Sequence, residues 1–288
     1  MRTSLSLWAS LLGLSFVSSC GGEGGEGMTY TYVLAEVALI AEANEDGSVI
    51  GLNLDDRVDD MPAPESCNKL DFTGPNGEPG VDNQLSLFGP ILGLFGGDPA
   101  ALIQGAINEG SLLILMEFEG LDSFENDNNV TVRIHFGTGP TDVGNDGLLV
   151  PGQSFDIKPD TVSVEMRNMR IVDGHMDADT FETVLPVAIL DQRFNLPIFS
   201  GHVSVDFDTE TGEITGLLGG GIPTQTLIDD LILMIPGGQD IAPIASLSLS
   251  RLADLEPNDI GGCLHLSTAM TIHGVTAFLL PPSEPVSE

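Results

Sequence analysis

The sequence predicts a mainly β protein, an antiparallel β-sandwich or barrel-like domain carrying two short helices. Three observations predict it. Apolar and polar residues alternate along several segments, which is the period of a strand with one buried face. Turn formers recur throughout, with 35 glycines and 18 prolines among 288 residues, and so cut the chain into short segments. Hydrophobic residues make up 42%, enough to bury a core rather than leave the chain disordered.

The strands read as follows. "VTVRIHF" (130–136) puts Val130, Val132, Ile134 and Phe136 on one face and Thr131, Arg133 and His135 on the other. "VSVEMRNMRI" (162–171) and "STAMTIHGVTAF" (267–278) alternate in the same way. "VSVDFDTETGEITGLLG" (203–219) reads as a hairpin closed by Thr-Glu-Thr-Gly, because an apolar alternation on each side flanks turn residues. A first helix is expected over 98–109. Asp98 would be its N-cap, Pro99 its first residue and Gly110 its stop, with Leu102, Ile103, Ala106 and Ile107 on the apolar face. A second is expected over 223–234. Both contain Leu-Ile-x-x-apolar-Ile, at 102–107 and 227–232, a hint of duplication. No linker divides 29–280, which reads as one acidic domain, and 281–288 reads as a frayed tail.

Charge excludes whole classes of partner. Forty-three acidic residues face nine basic ones. Such a surface repels phosphate backbones, so nucleic acid is not an expected partner. Docking onto anionic lipid by charge is excluded for the same reason. The single tryptophan is Trp8 and the tyrosines are Tyr30 and Tyr32, too few to build an aromatic platform for polysaccharide.

The N-terminus accounts for Trp8. Arg2 precedes an apolar run from Leu5 to Val17, the length of a signal-peptide core and short of the roughly 20 residues that span a bilayer. Val17-Ser18-Ser19-Cys20 then resembles the lipobox of bacterial lipoproteins, an aliphatic residue and two small ones before an obligatory cysteine. The resemblance covers about the first 20 residues. It implies cleavage before Cys20, a diacylglycerol (and palmitate) on its sulfur, and partnership with a membrane through that anchor. Residues 20–28 become a glycine-rich tether reaching roughly 15 Å. Gly21 is not the aspartate associated with inner-membrane retention, so the resemblance points to the outer membrane of a bacterial envelope. Cleavage leaves eight basic residues against 43 acidic ones, a formal charge of −35.

Cys67 and Cys263 are then the remaining cysteines. In an oxidising envelope an even pair reads as a disulfide, worth about 5 kcal/mol for so long a loop. The competing reading is two buried thiols.

Catalytic signatures are missing from the sequence: there is no Gly-x-Ser-x-Gly, His-Glu-x-x-His, Cys-x-x-Cys or phosphate-binding glycine loop. The five histidines are scattered, and His135 and His273 read as surface residues on polar strand faces. The most concentrated feature is the acidic, turn-rich stretch 53–83. Its oxygen donors, Asp55, Asp71, Asn76, Glu78, Asp82 and Asn83, suit calcium, which takes six to eight oxygens in flexible geometry. No EF-hand frame fits it: counting from Asp71 places Thr73, Pro75 and Asn76 at the third, fifth and sixth positions. A long solvated loop pinned by Cys67 is the other reading. The sequence thus points to an envelope lipoprotein with a structural or binding role, stabilised by calcium in the metal-binding reading. Its rivals are a hydrolase using paired carboxylates and a carrier of an apolar ligand, with "LSLFGPILGLFGG" (85–97) as candidate pocket lining.

Overall fold

The computed structural model describes residues 27–89, 99–189, 192–232, 238–259 and 261–280. Ten strands join in one sheet: β1 (Met28–Leu39), β2 (Leu113–Leu121), β3 (Asp127–Thr138), β4 (Gln153–Ile157), β5 (Val164–Ile171), β6 (His175–Ile189), β7 (Gln192–Asp208), β8 (Glu213–Pro223), β9 (Leu255–Pro257) and β10 (Cys263–Leu279). The chain is mainly β, as its alternation predicts. Pairing runs β1-β2-β3-β4-β10 and returns from β10 to β1, so these five strands close on themselves. β8, β7 and β6 continue outward from β10, and β5 adds to β3. One pairing departs from the antiparallel expectation: β4 runs parallel to β10, Gln153 opposite Ala277.

Alternation decides what lies inside. Val130, Val132, Ile134 and Phe136 are buried together in the main core, beside Leu34, Leu115, Phe118 and Phe155. The strand at 162–171 begins two residues later than expected. Val162 is 82% exposed, and the inward phase skips one residue between Met166 and Met169, where Asn168 turns to φ 59°. The hairpin at 203–219 forms as read. β7 ends at Asp208, whose Oδ1 accepts the Glu210 and Thr211 N–H groups at 2.7 and 3.2 Å, and Gly212 supplies φ 72°, which costs a residue without Cβ little.

The first helix is observed as Pro99–Asn108, with Gly110 at φ 72° beyond it; its expected cap Asp98 lies outside the described residues. Ala106 and Ile107 are buried as expected, whereas Leu102 faces outward. The second begins where expected but is not a regular α-helix. A single turn, Thr224–Thr226, leads into a π-helix, Leu227–Ile232, so the shared Leu-Ile motif takes two different backbones. A third helix, Gly238–Leu252, corrects the expected pair. Pro243 lies inside it, and Ser246 to Ser250 alternate like a strand, which hides it from periodicity. Leu227, Ile232, Ala245 and Leu249 pack with Leu196, Ile198, Ile222 and Leu266 into a second cluster. The helical segment therefore covers the end of β6, β7 and β8.

Candidate functional site

The acidic segment 53–83 folds back on itself. Asp55 accepts the Arg57 N–H at 3.1 Å and pairs with its guanidinium at 3.1 Å. Asp71 accepts the Asp59 N–H at 2.6 Å. Glu78 accepts from the Asn76 N–H and side-chain amide, both at 2.9 Å, closing a turn around Gly77. Asp82 is buried and accepts the Leu54 N–H at 2.7 Å. Asn83, fully buried, donates to the Ile40 and Ile50 carbonyls at 3.1 and 3.0 Å. The six sequence candidates thus serve different turns and backbone groups. Among the described residues no group of three or more His, Cys, Asp or Glu stands where it could hold a metal ion.

What the segment does is strap itself to β10. Cys67 and Cys263 form a disulfide with Cα atoms 5.7 Å apart. Next along, the Gln84 N–H donates to Ser267 Oγ at 2.8 Å. Behind these lies a buried acid pair. Burial raises Asp82 to about 8, with Asp254 adding repulsion, and burial raises Asp254 to about 7. No pattern in the sequence distinguishes these two carboxyls from the other acids.

The histidines divide. Contrary to the surface reading, His135 is 5% exposed, its Nδ1 2.6 Å from Ser163 Oγ. His273 is partly buried and pairs with Glu213 at 2.9 Å. His175, on β6, contacts Asp206 through Nδ1 at 2.7 Å and Ser204 Oγ through Nε2 at 3.4 Å, the residue types of a hydrolytic triad. Yet Asp177 lies closer to Nε2, at 3.2 Å. Burial works to lower the His175 pKa, but the hydrogen bond to Asp206 and the charges of both aspartates outweigh it and leave it raised. The geometry sets the imidazole between two carboxylates that favour its charged form, whereas a general base needs a free Nε2 lone pair.

The remaining feature is inside the sheet. A cavity of about 40 Å³ lies where inward side chains of β1, β2, β3, β6, β7, β8 and β10 face one another. Leu34, Met116, Phe136, Phe181, Leu218 and Met270 line it. On β8, Gly219 and Gly220 bring backbone rather than side chains to its wall. Thr183 and Thr268 are among its lining residues, and the wall they help form is almost wholly apolar. Thr268 donates to the Gly220 carbonyl at 2.9 Å, while Thr183 Oγ1 is buried without a partner. Leu185 and Ile198 line the cavity and also belong to the cluster beneath the helical segment. The lining was not read from the sequence; the glycine run 219–221 inside a strand pattern is the one signal for it, since such glycines mark missing side-chain volume. The stretch 85–97, expected as pocket lining, is described only to residue 89, where Leu85 and Phe88 join the second cluster.

Among the described residues no helix is long and apolar enough to cross a membrane. No protein-family model matches the chain, and comparison with curated proteins and with solved structures finds no similar one.

Proposed function

We propose that the protein is a lipid-anchored envelope protein that binds a small apolar molecule, or the end of an apolar chain, inside its barrel-like sheet. The observation that carries this reading is the apolar cavity, walled by strands from both ends of the sequence. Its lining offers dispersion contacts and removal of apolar surface from water, the terms that drive apolar binding. The helices Thr224–Thr226, Leu227–Ile232 and Gly238–Leu252 sit over the end marked by Leu185 and Ile198, and the π-turn Leu227–Ile232 is the kind of helix irregularity found at functional sites. A ligand larger than the cavity enters by displacing this cover. The lipobox-like Val17-Ser18-Ser19-Cys20 supports the envelope location.

Two measurements test the reading. Short alkanes, pentane to octane, are titrated into protein labelled at its methionine methyls. Saturable shifts at Met116 and Met270, abolished by the cavity-filling change Val203→Leu, are expected; no shift up to the solubility limit overturns the ligand site. For the anchor, intact mass of protein from a bacterial envelope is expected to show Cys20 as first residue with a lipid adduct. An unprocessed start at Met1 removes the anchor.

A further inference from the structure

We infer that the end of the sheet carrying Met28, Phe278 and Leu280 rests on the bilayer, with these three side chains entering it beside the anchor. The inference rests on the anchor reading above and names the face of the fold that meets the membrane. β1 and β10 bring the three together. Thr31 stands opposite Ala277 in the end pair of these two strands, and Met28 and Phe278 lie three and one residues past it. At about 3.3 Å per residue and about 5 Å between strands, they fall within roughly 10 Å of each other. Leu280, three residues past Ala277, is as far beyond that pair as Met28. Met28 is 64% and Phe278 61% exposed, and Leu280 is exposed too. Ala277 is buried, so Phe278, next along the strand, points outward. The Tyr30 hydroxyl donates to Met28 Sδ at 3.6 Å, which adds an amphipathic ring of the kind that suits a membrane interface.

Chain length says what covers them. Cys20 precedes Met28 by eight residues, so a lipid on its sulfur lies roughly 15 Å away by coil scaling and no further than about 28 Å at full extension. So short a tether holds the patch against the membrane at an effective concentration on the order of millimolar, where a few apolar side chains suffice to reach the headgroup and acyl boundary. The exposed Ile244 and Leu247 have no such tether. Their helix packs through Ala245 and Leu249 on Leu266, about 40 Å back along β10 from Phe278. The neighbouring segments 21–26 and 281–288 hold no aromatic residue and, prolines aside, Val286 as their one large apolar side chain, so they offer no apolar cover. Exposed acids set the lipid class. Asp122 follows Leu121, the partner of Met28, and Asp156 follows Phe155, the partner of Leu279. These carboxylates repel anionic headgroups and favour zwitterionic lipid.

The chain from Cys20 onward is coupled through the Cys20 thiol to a maleimide lipid in phosphatidylcholine nanodiscs, Cys67 and Cys263 being bridged. Docking is then read without relying on processing in the cell. Methionine methyls are followed while a nitroxide sits near the top of the lipid acyl chain, and Met61, 71% exposed on the strap, serves as control. Met28 is expected to broaden strongly and Met61 to keep its intensity. Phe278→Ser with Leu280→Ser is expected to lower the docked-to-undocked ratio about tenfold or more, since two apolar anchors are lost. Phe278→Trp, then the sole tryptophan of the cleaved chain, is expected to shift its emission to the blue when the coupled protein meets phosphatidylcholine. Equal broadening of Met28 and Met61, or a tryptophan that does not shift, overturns the docked face and leaves the anchor standing on its own mass measurement. Met28 broadening that survives the double serine change overturns the role of Phe278 and Leu280. Native protein without a lipid on Cys20 overturns the anchor, and the inference with it.

Discussion

Ser267 and Asp254 are joined twice. The Ser267 N–H donates to Asp254 Oδ1 at 2.9 Å and its hydroxyl to Oδ2 at 2.6 Å, while the same hydroxyl oxygen accepts the Gln84 N–H. Both side chains are buried, so the strap, β10 and the turn before β9 meet at one serine. A hydroxyl poised between a backbone donor and a carboxylate orders three segments far apart in sequence, and it leaves two acids, Asp254 and Asp82, in an apolar setting.

Those acids make stability fall with rising pH. Burial raises Asp82 to about 8 and Asp254 to about 7, above the ordinary carboxylate value near 4. The folded chain therefore holds protons that the unfolded chain has released, and stability declines as pH rises through about 4 to 8. Asp82→Asn retains an acceptor for the Leu54 N–H and removes the ionisation. Its thermal midpoint is expected to exceed the wild-type value by a margin that grows from pH 5 to pH 9. A margin independent of pH would show that Asp82 ionises freely.

The disulfide fastens the strap. Cys67 and Cys263 lie 196 residues apart, so the bridge removes a large share of unfolded-chain entropy, about 5 kcal/mol on the loop-closure model. Cys67→Ala with Cys263→Ala is expected to lower the denaturation midpoint by that order. Protein alkylated without reduction is expected to show neither cysteine modified.

Two glycines predict opposite signs. A Cβ on Gly216 would run into the carbonyl oxygen of Ser204 on the neighbouring strand. Gly216→Ala must push β8 off β7, at roughly 1–3 kcal/mol. Gly105, inside the helix Pro99–Asn108, has nothing within 4 Å of that position, and Gly105→Ala is expected to stabilise by about 0.5–1 kcal/mol. Urea denaturation of both variants checks the contrast.

Calcium is testable against the hydrogen bonds that its expected ligands already make. Asp55, Asp71, Glu78 and Asp82 accept from backbone N–H groups of their own segment. Millimolar calcium is expected to move the thermal midpoint no further than magnesium at equal ionic strength. A calcium-specific rise, lost in Asp71→Asn, would show the 53–83 segment closing on an ion.

Periodicity made much of this architecture legible. Strand alternation at 130–136 and 203–219 is local physics, since side chains two apart share a face whatever the rest of the chain does. A bridge between Cys67 and Cys263 is one of two sequence readings, beside two buried thiols, and it rests on assigning the third cysteine, Cys20, to the anchor. Local pattern failed where context overrules it: Pro243 inside a helix, a π-turn at Leu227–Ile232, and the parallel pairing of β4 with β10.

The amino-acid sequence by itself determined a β-rich, strongly acidic chain with a lipobox-like start, because composition, alternation and spacing are properties of neighbours along the chain. Only the tertiary structure decided that Asp82 and Asp254 are buried, that Cys67 and Cys263 are bridged, which histidine is hemmed in by carboxylates, and that an apolar cavity lies between strands far apart in sequence. Burial and partnership depend on what distant strands bring to the same point, and no local pattern carries that.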